Sequence, residues 1–95
     1  MIELVVPDSD DGGTRTDDRL KPSRELVGRT VYTFDGALEE ALSLAEELSQ
    51  TTGGAPVLVN DVKDHDDDTR IVDVYMHRDG RQMSVSRGVE RPRPA

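Results

Sequence analysis

A dense run of carboxylates around an imidazole is the first place where this chain invites chemistry. Asp64, Asp66, Asp67 and Asp68 surround His65, and Asp61 stands just before them. Carboxylate oxygens suit hard cations, and an imidazole extends the choice to manganese or zinc. The run falls between two strand-like segments, at a hairpin tip, where nothing fixes ligand geometry. The expectation is therefore a solvated acidic turn at 61–68, with ion binding left open. A second acidic stretch, Asp8-Ser9-Asp10-Asp11-Gly12-Gly13, begins like a calcium loop. Counted from Asp8, however, Gly12 takes the fifth position and Arg19 the twelfth, so the bidentate carboxylate is missing.

Nucleophilic catalysis finds little material. The chain has no Cys, and no Ser sits in a nucleophile-elbow pattern. His65 and His77 are its only imidazoles, each beside a turn rather than in an apolar pocket. The glycine pairs at 12–13 and 53–54 match neither a phosphate-binding loop nor a dinucleotide fingerprint. No catalytic residue, cofactor-binding residue or metal ligand is assigned, and the expectation is a protein that is not an enzyme.

The cations are distributed unevenly. Residues 1–69 hold six Lys or Arg against seventeen Asp or Glu, a net of −11, whereas 70–95 hold six Arg against three acids, a net of +3. Arg78, Arg81, Arg87, Arg91 and Arg93 make a basic end to an acidic chain, a candidate contact for nucleic-acid phosphates. Against that reading, the same side chains can pair with the protein's own carboxylates or with a neighbouring subunit. Only Tyr75 is close by for stacking, and the overall field repels polyanions.

These residues need elements to position them. Ile2 to Val6 is a short apolar run closed by Pro7 and reads as a strand. Residues 7–24 read as a long polar loop. Residues 26–34 include Thr30-Val31-Tyr32-Thr33-Phe34, β-branched and aromatic, and read as a second strand. A helix follows, with Asp35 as N-cap and Glu39 and Glu40 at the positive end of its dipole. Leu38, Ala41, Leu42, Ala45 and Leu48 form its apolar stripe, and Gly53-Gly54 ends it.

Residues 56–62 read as a third strand and 63–69 as the acidic turn. Residues 70–77 alternate as a fourth strand, with Val72, Val74 and Met76 on one face and Ile71, Asp73, Tyr75 and His77 on the other. Asp79-Gly80 supplies a type I′ turn. With Arg78 and Arg81 flanking it, Met76 falls opposite Met83 and Val74 opposite Val85, so the Val72 face is expected to meet the helix. The predicted fold is α+β and two-layered. One amphipathic helix packs on a mainly antiparallel sheet of four to five strands, in the order β-β-α-β-β-β. A single domain spans 1–87, and a flexible Pro/Arg tail spans 88–95.

Composition sets the environment. Thirteen Asp and ten Arg stand beside only two Lys, and the net charge is −8. Such a surface suits molar salt, where the Debye length shrinks to roughly 3 Å and self-repulsion costs little. A high-GC genome makes the same exchange of Lys for Arg. The N-terminus has no signal-peptide pattern and no apolar stretch is long enough to span a bilayer, so a soluble cytoplasmic protein is expected. Eleven Val and eight Leu build only a small core, and small domains often gain stability by associating. The leading expectation is a protein-interaction or assembly module acting as a homodimer through Ile71, Asp73, Tyr75 and His77, on a sheet face no helix covers. The alternative is a small nucleic-acid-associated regulator using the Arg set. An acidic mimic of DNA fits the first 69 residues less specifically.

Overall fold

The computed structural model describes residues 1–8, 18–66 and 69–90. It is an α+β structure in which one helix packs on a six-stranded antiparallel sheet. In chain order the elements are β1 (Ile2–Pro7), β2 (Leu20–Leu26), β3 (Arg29–Phe34), α1 (Leu38–Ser49), β4 (Val57–Asp66), β5 (Thr69–Arg78) and β6 (Arg81–Glu90). Across the sheet the order is β2-β3-β1-β4-β5-β6, which leaves β2 and β6 as the two edges. The class matches the sequence expectation, with one strand more before the helix.

That extra strand corrects two boundaries. Residues 20–26, split in the sequence reading between a polar loop and the second strand, form β2 and pair with β3 from Leu20↔Phe34 to Leu26↔Arg29. The alternating apolar signal fails here because β2 is an edge strand. Residues 21–26 are all exposed, so neither face has to be apolar. The remainder of the polar loop, 9–17, with most of the calcium-like stretch, lies outside the described residues.

The helix stands close to its predicted place. Ala37 rather than Asp35 occupies the N-cap position, and among the described residues no side chain caps it. Ala41, Leu44, Ala45, Leu48 and Ser49 are buried, so the stripe is rotated toward Leu44, while Leu38 and Leu42 sit part-buried beside it. Leu4, Phe34, Val57 and Val59 complete the core beneath the helix, with Ile2, Val6, Leu20 and Tyr75 around it. Burying each Leu or Val side chain contributes about 1.5–3 kcal/mol, the main term holding the two layers together.

The β4–β5–β6 meander is longer than the sequence reading gave it. Strand β4 continues to Asp66 and β5 begins at Thr69, so most of the acidic turn belongs to paired strands, and 67–68 lie outside the described residues. Strand β6 reaches Glu90, into the segment expected to be a tail, while 91–95 lie outside the described residues. A 12-residue helix is about 18 Å long, whereas ten-residue strands reach about 34 Å. The helix therefore cannot cover the meander from end to end.

At the β5–β6 turn, Asp79 and Gly80 have φ of 52° and 81°, as a type I′ turn requires, and Arg78 pairs with Arg81. The predicted register holds for the next pair, His77↔Gln82, and fails at the one after it. A bulge leaves Met83 without a partner, so Met76 faces Ser84, Tyr75 faces Val85 and Val74 faces Ser86.

Candidate interaction surface

Cross-strand pairing decides which face of the sheet each candidate residue occupies. Leu4 lies opposite Val59, Val59 opposite Tyr75, and Val57 opposite His77. Residues opposite one another share a face, so Ile71, Asp73, Tyr75 and His77 lie on the helix side. This corrects the expected assignment, which had set them on the uncovered face. Tyr75 packs against the helix-side core and His77 is completely buried. Val72, Val74 and Met76 point to the face without a helix, alongside Val5, Val31, Leu58 and Val62. Val5, Val31, Val62 and Val72 are themselves buried. The pattern misleads because both faces of β5 carry apolar residues, and Asp73 and His77 made the inner face look wet.

His77 sits at the root of the β5–β6 hairpin. Among the described residues neither ring nitrogen has a hydrogen-bond partner, and burial pushes the imidazole's pKa below its ordinary 6.5. Glu46 opposes that shift by charge, and the nearby backbone of Tyr75 and Val57 opposes it more weakly. His77 is thereby held as a neutral core residue. Beside it, the Gly80 N–H donates to Ser49 Oγ at 2.8 Å, and the Ser49 hydroxyl donates to the Glu46 carbonyl at 2.9 Å. A Cβ at Gly80 would lie 2.9 Å from the Gln50 side chain. The turn is thus seated on the last turn of the helix.

Farther along the same face, four charged residues form a compact set. Asp61 and Asp73 lie directly opposite one another and are both buried, at 9 % and 6 % exposure. Lys63 stands between their carboxylates, 3.5 Å from Asp61 and 3.8 Å from Asp73. From the other flank Arg87 donates twice to Asp73, Nε to Oδ1 at 2.7 Å and Nη2 to Oδ2 at 3.2 Å. The Arg87 guanidinium holds the Asp73 carboxyl below its ordinary pKa of 3.8, against the upward push of desolvation. Two cations thus cancel the repulsion between the facing carboxylates. Ile71, Val85 and Val89 surround this set, with Val85 and Val89 exposed at 53 % and 57 %.

The five candidate arginines do not gather into one patch. Arg78 and Arg81 face each other at the hairpin turn. Arg87 is six residues farther along β6, about 20 Å at the rise of a strand, and is bound to Asp73. Arg91 and Arg93 lie outside the described residues. Among the described residues no group of three or more metal-ligating side chains comes together, and Asp61 is engaged by Lys63. The side chain of His65 is outside the described part.

One group of residues was missed by the sequence reading. Met83, Val85 and Val89, of which Met83 and Val85 had been placed against the core, are all more than half exposed on the edge strand β6. Their spacing was visible in the sequence, but alternation alone does not tell an edge strand from a central one. Among the described residues no helix is long and apolar enough to cross a membrane. Comparison with known proteins supplies no relative: no family model, no curated protein and no solved structure matches this chain.

Proposed function

We propose that this chain is a non-enzymatic protein-interaction or assembly module that acts through its sheet as a homodimer, in a salt-rich cytoplasm. The observation that carries this reading is the row of Met83, Val85 and Val89, each more than half exposed, along the edge strand β6. Apolar side chains beside a row of charged and polar ones fit a small interface with a wet rim. An interface confined to one strand edge and three apolar side chains belongs to the weak class below roughly 1,200 Å², so the association would be reversible. Sedimentation velocity from micromolar to millimolar protein, at low and molar salt, tests it. A concentration-dependent shift from monomer to dimer is expected, and a monomer throughout removes the homodimer.

The second reading is a nucleic-acid-associated regulator, supported by Arg78 and Arg81 standing across from each other at the hairpin turn. Two such cations predict weak binding with a salt slope near −2. Fluorescence anisotropy with short duplex DNA and with RNA measures it, and anisotropy that stays flat at low salt ends this reading.

A further inference from the structure

We propose that the occupant of the β6 edge is β6 of a second copy, the two strands running antiparallel about a dyad at Ser86. This inference rests on the sheet-mediated reading above and names its strand, its register and its partner. The outer side of β6 has no neighbouring strand among the described residues, although β6 is ten residues long and free of proline. Such an edge presents unpaired N–H and C=O groups at alternate residues, a template for another strand.

The opposite edge does not accept it. On β2, Pro22 has no N–H to donate, a bulge leaves Ser23 unpaired, and Lys21, Arg24 and Glu25 line the strand. Head-to-tail stacking of β6 on β2 is therefore blocked, and pairing like with like closes the assembly at two.

The register follows from side-chain compatibility. A dyad at Ser86 sets Met83 of one copy opposite Val89 of the other, Ser84 opposite Gly88, and Gln82 opposite Glu90. Val85 then faces the aliphatic stem of Arg87, whose guanidinium is already held by its own Asp73. The apolar residues fall on the helix side next to Ile71 and Tyr75, and the small residues Ser84, Ser86 and Gly88 fall on the other. A dyad at Arg87 would instead set two guanidinium groups directly opposite one another, which is unfavourable. Strand β6 carries two Arg and one Glu, so the copies meet without the acidic surplus that repels them elsewhere.

The absence of cysteine makes the test clean. The variant Ser86→Cys, exposed to copper-phenanthroline in molar salt, should form a disulfide-linked dimer at least tenfold faster than Ser23→Cys on β2 or Ser43→Cys on the exposed side of the helix. A second variant, Val85→Lys, should weaken the dimer at least tenfold in sedimentation while its circular dichroism stays that of the wild type. Equal cross-linking rates for the three cysteine variants overturn the β6 edge. A dimer that survives Val85→Lys but is lost in Met76→Lys, on the face without a helix, also overturns it and leaves the sheet-mediated reading standing. A wild type that is monomeric at millimolar concentration overturns both, and leaves β6 to a foreign strand.

Discussion

The two edges of this sheet solve the same problem in opposite ways. Strand β2 is short, bulged, interrupted by Pro22 and charged along its length. Strand β6 is longer, keeps its backbone regular from Ser84 to Glu90, and shows Val85 and Val89 to solvent. Each feature of β2 is a known defence against edge-to-edge pairing; β6 shares the charges, with Arg81, Arg87 and Glu90, and has one bulge near its turn, but it is longer and has no proline. One guarded edge and one open edge permit a closed pair and forbid a growing fibre. On the proposed function, the open edge is the one that would serve recognition and the guarded one would serve solubility.

The largest effect is expected from removing the guard. Replacing Pro22 by Thr and deleting Ser23 should give β2 a continuous ladder able to accept β6. Reversible dimers should then become open-ended assemblies, visible as a rise in light scattering with protein concentration. A double variant that stays dimeric means that β2 is protected by something other than proline and bulge.

Next is the turn that starts β6. Gly80 has φ of 81°, and a side chain there would press on Gln50. Gly80→Val should lower stability by about 2 kcal/mol in denaturant titration, by strain at positive φ and loss of the seat on Ser49. It should also weaken dimerisation, because the start of β6 comes loose from the helix. Unchanged stability would show that β6 is not held by its turn.

Salt acts on both edges alike. Raising salt from about 0.1 M to about 2 M screens the −8 net charge and should raise the melting temperature by about 4–8 °C, near 1 kcal/mol for a domain of this size. Dimerisation should strengthen over the same range. An equal or lower melting temperature at high salt discards the reading of the composition as salt adaptation.

The smallest effect at neutral pH belongs to His77, beneath the helix at the foot of the open hairpin. Its folded pKa lies below the ordinary 6.5, so the folded state prefers the neutral ring. Stability from this group is fully present above the ordinary value and is lost as pH falls through the lowered folded one. Asp73 has its pKa lowered from 3.8 by Arg87, so its contribution persists to lower pH and fades below about 4. His77→Phe should flatten the stability profile below about pH 6.5, and gain about 1 kcal/mol by removing two buried nitrogens that have no hydrogen-bond partner among the described residues. Thermal melts from pH 8 to 4 check this, and an unchanged profile assigns the acid loss to another group.

The parts of the fold legible in the sequence were those where one strong local signal dominated. The Leu and Ala spacing points to the helix, and Asp79-Gly80 points to the hairpin and its first two pairs. Strand β2 was hidden because an exposed edge need not show apolar alternation. The face of β5 was misread for a different reason. Asp73 looks solvated in sequence, yet its charge is answered by Arg87 and Lys63, and His77 looks polar yet is held neutral by burial. Those answers come from β4 and β6, several strand positions away in the chain. The bulge at Met83 then displaced the register by one residue, which no turn signal encodes.

Strand β1 lies between β3 and β4, and that placement sets an order of assembly. Hairpin β2–β3 and meander β4–β5–β6 each join strands that are neighbours in the chain, so both can form early and locally. Strand β1 alone must reach across the sequence, with its pairing to β4 extended by the contact of Met1 with Val62, 61 residues apart. During synthesis it waits through the making of the helix with only β3 beside it, its other side bare until β4 emerges. The two halves of the sheet become one cooperative unit when this strand closes the gap. A defect in β1 should therefore leave two loosely ordered hairpin lobes rather than a single unfolded chain.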